Sequence, residues 1–197
     1  MVIYFLAFKE FAHYKKNITE PISKLFPDFF HDIRIKKKVL PVSWKYCENF
    51  ILRNPSFNQE HPSCMIILGM HEREWLSLEI NSLNFYFGKD INGIFKFGRI
   101  FKKAPILIKT NVGFNSFFRN SILSKVLKVS IYPGIYLCNF VYYLSLYSFA
   151  SKFPIILIHV PKKVNLNQVI EIIKLILIRL LKCEVNKKNF SSMQSNI

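Results

Sequence analysis

Two runs of the chain, "CMIILGM" at 64–70 and "PIILIHV" at 154–160, are apolar almost without a break over the length of one strand. A strand with one face in water alternates polar and apolar side chains, so an unbroken run calls for cover on both faces. The segment "NLNQVIEIIKLILIRLLK" at 165–182 has helical periodicity, with Glu171, Lys174, Arg179 and Lys182 as a narrow polar stripe. The rest of its surface is apolar, so this helix needs packing almost all round. A covered sheet and a helix able to cover it point to an α/β chain.

The remaining segments keep the alternation. "MVIYFLA" reads as a first strand, "NITEPISKLF" as a short helix with Asn17 or Thr19 near its cap, and "KKKVLPV" as extended chain. "WKYCENFILR" places Trp44, Cys47 and Ile51 on one helical side. "WLSLEIN" sets Leu76, Leu78 and Ile80 on one side of a strand, and Ser77, Glu79 and Asn81 on the other. "APILIKT" and "KVSIY" read as strands, "FNSFFRNSILSKV" and "CNFVYYLSLYSFA" as helices. Strands alternating with helices predict a mostly parallel sheet with helices on both faces. No linker divides the chain, so one domain over 1–183 is expected, followed by a polar tail over 184–197 that frays.

Composition narrows the setting. The 197 residues are 51% apolar, enough for a real core. The formal charge of +16 raises the question of an anionic partner. The lysines are spread along the whole chain, apart from "IRIKKKVL" at 33–40 and "FGRIFKK" at 97–103. They read as solvated surface, and stacking aromatics in an RNA-binding motif are missing, so no nucleic acid is expected. The most apolar stretch, 136–160, is broken by Asn139, Lys152 and Pro154, so no membrane span is expected. The N-terminal run is followed by Lys9 and Glu10 and lacks a basic leader, which makes the cytoplasm the expected location. The four cysteines, Cys47, Cys64, Cys138 and Cys183, have no C-x-x-C spacing, and no ligand cluster calls for a metal or cofactor.

In such a sheet, functional groups gather beyond the carboxyl ends of the strands. Cys138 follows the strand "KVSIY" and a turn, at the start of the next helix. Free N–H groups and the positive end of the helix dipole favour thiolate there and can hold an oxyanion. His159 closes the next strand, 21 positions on, at the same rim. An imidazole there can take the thiol proton and return it to a leaving amine. Glu79, on the polar side of its strand, can orient that imidazole. Spacing alone also allows Cys138 and His159 to be core residues.

The motifs carry a resemblance. "YLCNFVYYLSLY" followed by "ILIHVP" and "NLNQVIEIIKLIL" resembles pyroglutamyl-peptidase I, the pyrrolidone-carboxylate cysteine peptidase, and the first block is similar to its animal branch. "AFKEF" ahead of Asn17, "VLPVSW" at 39–44, and "IILGM" followed by "LSLEINSLN" at 66–84 resemble its opening motif, second strand and glutamate segment. The resemblance implies a three-layer α/β/α sandwich and removal of N-terminal pyroglutamate from peptides, without a cofactor. It implies Cys138 as nucleophile, His159 as general base and then acid, and Glu79 as the group orienting His159. Phe8 and Phe11 would line an apolar pocket for the lactam ring, or else are ordinary core aromatics. Tyr136 and Leu137 would offer main-chain groups to the lactam.

The chain also departs from that pattern. Ala7 and Glu10 replace a glycine and a proline of the opening motif, and Pro133-Gly134-Ile135 precedes the nucleophile in place of A-G-x. "MHEREW" at 70–75 replaces a glycine-rich loop. An alternative expectation is therefore a weakly active or inactive homologue that binds capped peptide N-termini.

Overall fold

In the computed structural model the described residues are 1–10, 17–113 and 122–194, with side chains as far as Leu181. Phe11, the rest of 11–16 and most of "FNSFFRNSILSKV" lie outside them.

The chain runs β1 (Val2–Phe8), α1 (Thr19–Leu25), β2 (Phe29–Phe30), β3 (Ile33–Leu40), α2 (Trp44–Arg53), α3 (Ser56–Gln59) and β4 (Pro62–His71). It continues through β5 (Leu76–Glu79), β6 (Asn81–Leu83), β7 (Tyr86–Lys89), β8 (Phe95–Gly98) and β9 (Leu107–Lys109). The last elements are α4 (Leu123–Val126), β10 (Leu127–Ser130), α5 (Leu137–Phe149), β11 (Ile155–Pro161) and α6 (Leu166–Gln194).

Seven strands form one sheet in the order β10-β5-β11-β4-β1-β3-β2. The centre, β11-β4-β1-β3, is parallel. β5 runs antiparallel to β11 while staying parallel to β10, and β2 turns back on β3. The expectation of a mostly parallel sheet holds.

The apolar runs seen in the sequence are the sheet's two-sided core. On one face, Phe5, Ile66, Leu68, Ile156 and Ile158 pack against Ile22 and Phe26 of the α1 region and Val169, Ile173 and Leu177 of α6. On the other, Leu6, Met65, Ile67 and Leu157 meet Trp44, Cys47 and Ile51 of α2 and Phe140, Val141 and Leu144 of α5. Each large side chain fully buried in these layers contributes about 1.5–3 kcal/mol. Helices on both faces make the three layers.

Three local findings differ from expectation. α6 does not stop near 183 but runs on to Gln194, where no glycine or proline interrupts it. Of the two cap candidates, Asn17 accepts the first helical amide, Thr19 N, at 3.1 Å, whereas the Thr19 hydroxyl does not cap α1; it accepts from Phe8 N at 3.1 Å and donates to Asn17 Oδ1 at 2.9 Å, tying the helix to the end of β1. The lysines of β3 are not simply solvated: Lys36 pairs with Glu60, Lys37 with Asp28, and Lys38 lies over the Tyr46 and Phe50 rings. No helix among the described residues is long and apolar enough to cross a membrane.

Candidate active site

β11 brings His159 to the sheet rim between two partners. On the parallel side His159 is level with Gly69 of β4, and on the antiparallel side with Ser77 of β5. Glu79 is level with Leu157, so it is the diagonal neighbour of His159. Side chains alternate along a strand, which puts Leu157, His159, Ser77 and Glu79 on one face, the face covered by α5.

α5 supplies the sulfur. After β10 the chain turns through Gly134, whose φ of +79° is a conformation glycine adopts without a Cβ penalty. Tyr136 then enters the helix in extended conformation, and Cys138 is the second helical residue. The amides of Leu137, Cys138 and Asn139 lie in the first turn, where a helix offers no acceptor of its own.

Asn139 anchors this turn. Its Oδ1 accepts from Leu83 N at 2.8 Å and Ser82 Oγ at 3.1 Å. Its Nδ2 donates to the carbonyls of Leu83 and Phe85, both at 2.9 Å. The helix start is thus bolted to β6 by a fully buried amide. Tyr136 adds a second tie, donating through its hydroxyl to Lys89 O at 2.8 Å. Gly88 makes room for that ring, since a Cβ there would lie 2.8 Å from it.

The imidazole is held from both sides. Its Nδ1 donates to Glu79 Oε1 at 2.9 Å, and both residues are buried. Its other edge faces the sulfur: a Cβ on Gly69 would lie 2.5 Å from His159 Nε2 and 3.0 Å from Cys138 Sγ. Gly69 therefore leaves the slot in which thiol and imidazole meet. Burial by itself would depress the His159 pKa, but hydrogen bonding to Cys138 and Glu79 outweighs it and lifts the value to about 9. Burial pushes Glu79 upward, yet its bond to His159, with help from Ser130 and Ser77, holds it below the usual carboxylate range. Its Oε2 is buried and makes no hydrogen bond of ordinary geometry among the described residues.

These groups open into a cleft of about 230 Å³ lined by Met70, His71, Arg73, Tyr132, Pro133, Gly134, Tyr136 and Asn139 with the three residues above. Two larger hollows, one beside Trp44 and Lys45 and one around Phe57 and His61, include no thiol among their lining residues. Among the described residues no group of three histidine, cysteine or acidic side chains is arranged to hold a metal.

Of the residues singled out from sequence, Cys138, His159, Glu79 and Tyr136 meet at this cleft. Leu137 turns its side chain into the core, which leaves its main chain at the helix start. Phe8 is not among the lining residues: it is buried in the core layer with Leu40, Val42 and Trp44, because β1 alternation points it at the same face as Tyr4 and Leu6. Phe11 lies outside the described residues. Sequence reasoning passed over Asn139, Ser77 and His71. A lone amide at the start of an otherwise apolar helix was the one available signal for Asn139.

The fold has known counterparts. A point mutant of the pyrrolidone carboxyl peptidase from Pyrococcus furiosus superposes with a TM-score of 0.81 over 92% of this chain and 99% of its own, at 22% identity. The enzyme from Thermococcus litoralis gives 0.82 over 94% and 96%, at 22% identity. That from Thermus thermophilus gives 0.77 over 90% and 98%, at 23% identity. The chain has the fold of the pyrrolidone carboxyl peptidases. No protein-family model and no curated protein sequence matches it.

Proposed function

We propose that the protein is a cysteine peptidase that removes N-terminal pyroglutamate from peptides. One observation carries the reading: a buried glutamate–imidazole pair facing a thiol at a helix start, in a chain that shares its fold with pyrrolidone carboxyl peptidases.

In this reading His159 takes the proton of Cys138, and the thiolate attacks the carbonyl of pyroglutamate. The carbonyl oxygen gathers negative charge, which the Cys138 amide at the helix start can receive. His159 returns the proton to the leaving amine, and the peptide departs with a free N-terminus. A pyroglutamyl thioester remains. Water, deprotonated by His159, releases pyroglutamate and restores the thiol. Glu79 keeps the proton of His159 on Nδ1, so that Nε2 is the atom presented to sulfur and water.

The cleft suits a small uncharged ring. Tyr132, Pro133, Gly134, Tyr136 and Met70 build much of its wall, beside His71, Arg73 and Asn139. In this reading the main chain of Tyr136 and Leu137, at the start of α5, would supply the lactam's polar partners. The free thiol of Cys138 is consistent with action in a reducing compartment such as the cytoplasm.

Release of a fluorophore from a pyroglutamyl amide tests the reading. Turnover is expected with the wild type under reducing conditions. An inert wild type that still binds pyroglutamyl peptides would favour the binding homologue instead.

A further inference from the structure

We infer that His71 and Ser77 form a second hydrogen-bonded arm that positions Glu79, and through it His159. This rests on the triad proposed above.

The direction of the arm follows from its hydrogens. His71 ends β4, and the Arg73 amide donates to its Nδ1 at 2.8 Å. Nδ1 is therefore an acceptor, and a neutral ring carries its proton on Nε2. That Nε2 lies 3.4 Å from Ser77 Oγ. Ser77 is wholly buried and level with His159 across the β5–β11 pairing. Its hydroxyl in turn donates to Glu79 Oε1 at 3.0 Å. The chain reads His71 Nε2–H to Ser77 Oγ–H to Glu79 Oε1, which also receives the His159 Nδ1–H. Both ends converge on one carboxylate oxygen.

The geometry gives the arm a purpose. A serine hydroxyl with no incoming donor is free to rotate. A donor arriving from His71 fills one lone pair and leaves the proton aimed at Glu79. Oε1 is then held from two directions, and the carboxylate does not swing away when His159 changes charge. His71 remains neutral in this setting. The groups facing it are His159, Arg73 and Glu79; burial, then the charges of His159 and Arg73, pushes its pKa down to about 4 against the opposing effects of Glu79 and a hydrogen bond to the His159 main chain. Its ring stands edge-on to that of His159 at 5.5 Å between centroids. The segment "MHEREW" at 70–75 thus carries a buttress.

The test uses the intact protein and two readouts. The first is the low-field proton resonance of His159 Nδ1–H, which reports its bond to Glu79 without any substrate. The second is steady-state turnover of the pyroglutamyl amide. Ser77→Ala and His71→Phe should each shift this resonance upfield and speed its exchange. Each should lower kcat about five- to tenfold with KM unchanged. His71→Gln should restore both, since its amide offers an acceptor to Arg73 and a donor to Ser77. Ser77→Ala, a small change at a buried site, decides the matter if His71→Phe does not fold. An unchanged resonance in the folded variants would overturn the inference. An inert wild type whose resonance responds as described would instead refute the peptidase reading and leave the arm standing.

Discussion

Glu79 Oε1 accepts the Nδ1–H of His159 at 2.9 Å across an antiparallel strand pair, with both side chains buried. This bond links three properties of the molecule: the tautomer of the imidazole, its high pKa, and the direction of its other nitrogen toward Cys138. Removing the glutamate charge should affect all three.

In Glu79→Gln the imidazole loses a partner that raises its pKa. The alkaline limb of kcat/KM, expected near pH 9 in the wild type, should move to lower pH in the variant. A pH–rate series on both proteins measures the shift. An alkaline limb at the same pH in the two would separate Glu79 from the titration of His159.

Gly69 tests the slot. A methyl group there would meet His159 Cδ2 at 2.3 Å and Nε2 at 2.5 Å. The ring cannot retreat, since Glu79 holds its far side. Gly69→Ala should therefore fold but lose about 100-fold in turnover, the scale of a misplacement near 1 Å. Kinetics alongside far-UV circular dichroism separates misalignment from unfolding.

Asn139 should matter to stability more than its position suggests. Asn139→Ala leaves Leu83 N–H, two carbonyls and the Ser82 hydroxyl without the amide that now satisfies them. A loss of about 3 kcal/mol is expected in denaturant unfolding. Turnover should fall too, because the first turn of α5 is no longer tied to β6.

Stability should peak near neutral pH, for reasons of opposite sign. His159 holds its proton more tightly folded than unfolded, so its contribution is present below about 6.5 and is lost as pH rises toward about 9. His71 holds its proton less tightly folded, so stability is lost as pH falls from about 6.5 toward about 4. The depressed Glu79 is lost at still lower pH in the same direction. Melting temperatures across this range should fall on both sides of a maximum, and His71→Gln should flatten the acid side.

The layers were readable because burial on two faces leaves a mark in composition. "CMIILGM" and "PIILIHV" became the paired strands β4 and β11, and the all-round apolar helix became α6. The sulfur and imidazole were singled out by their places at element ends, and the carboxylate by its place on the polar side of its strand. What alternation does not encode is strand direction, so the reversal of β5 against β11 was hidden. That reversal is what makes Ser77 level with His159 and Glu79 its diagonal neighbour. Phe8 was expected at the lactam pocket, with the core as the lesser reading; it is buried with Tyr4 and Leu6 and is not among the residues lining the cleft. Hydrogen-bond chains such as His71 to Ser77 depend on side chains 6 positions apart across a loop, a relation with no periodic signature.

The central claim is covalent chemistry at one sulfur, and the acyl-enzyme tests it most directly. Acid quenching during turnover of a pyroglutamyl substrate, followed by peptide mapping by mass spectrometry, should find one pyroglutamyl group on Cys138. Neither the adduct nor turnover should survive in Cys138→Ser. Turnover that persists in that variant, or an adduct on Cys47 or Cys64 alone, would contradict the account.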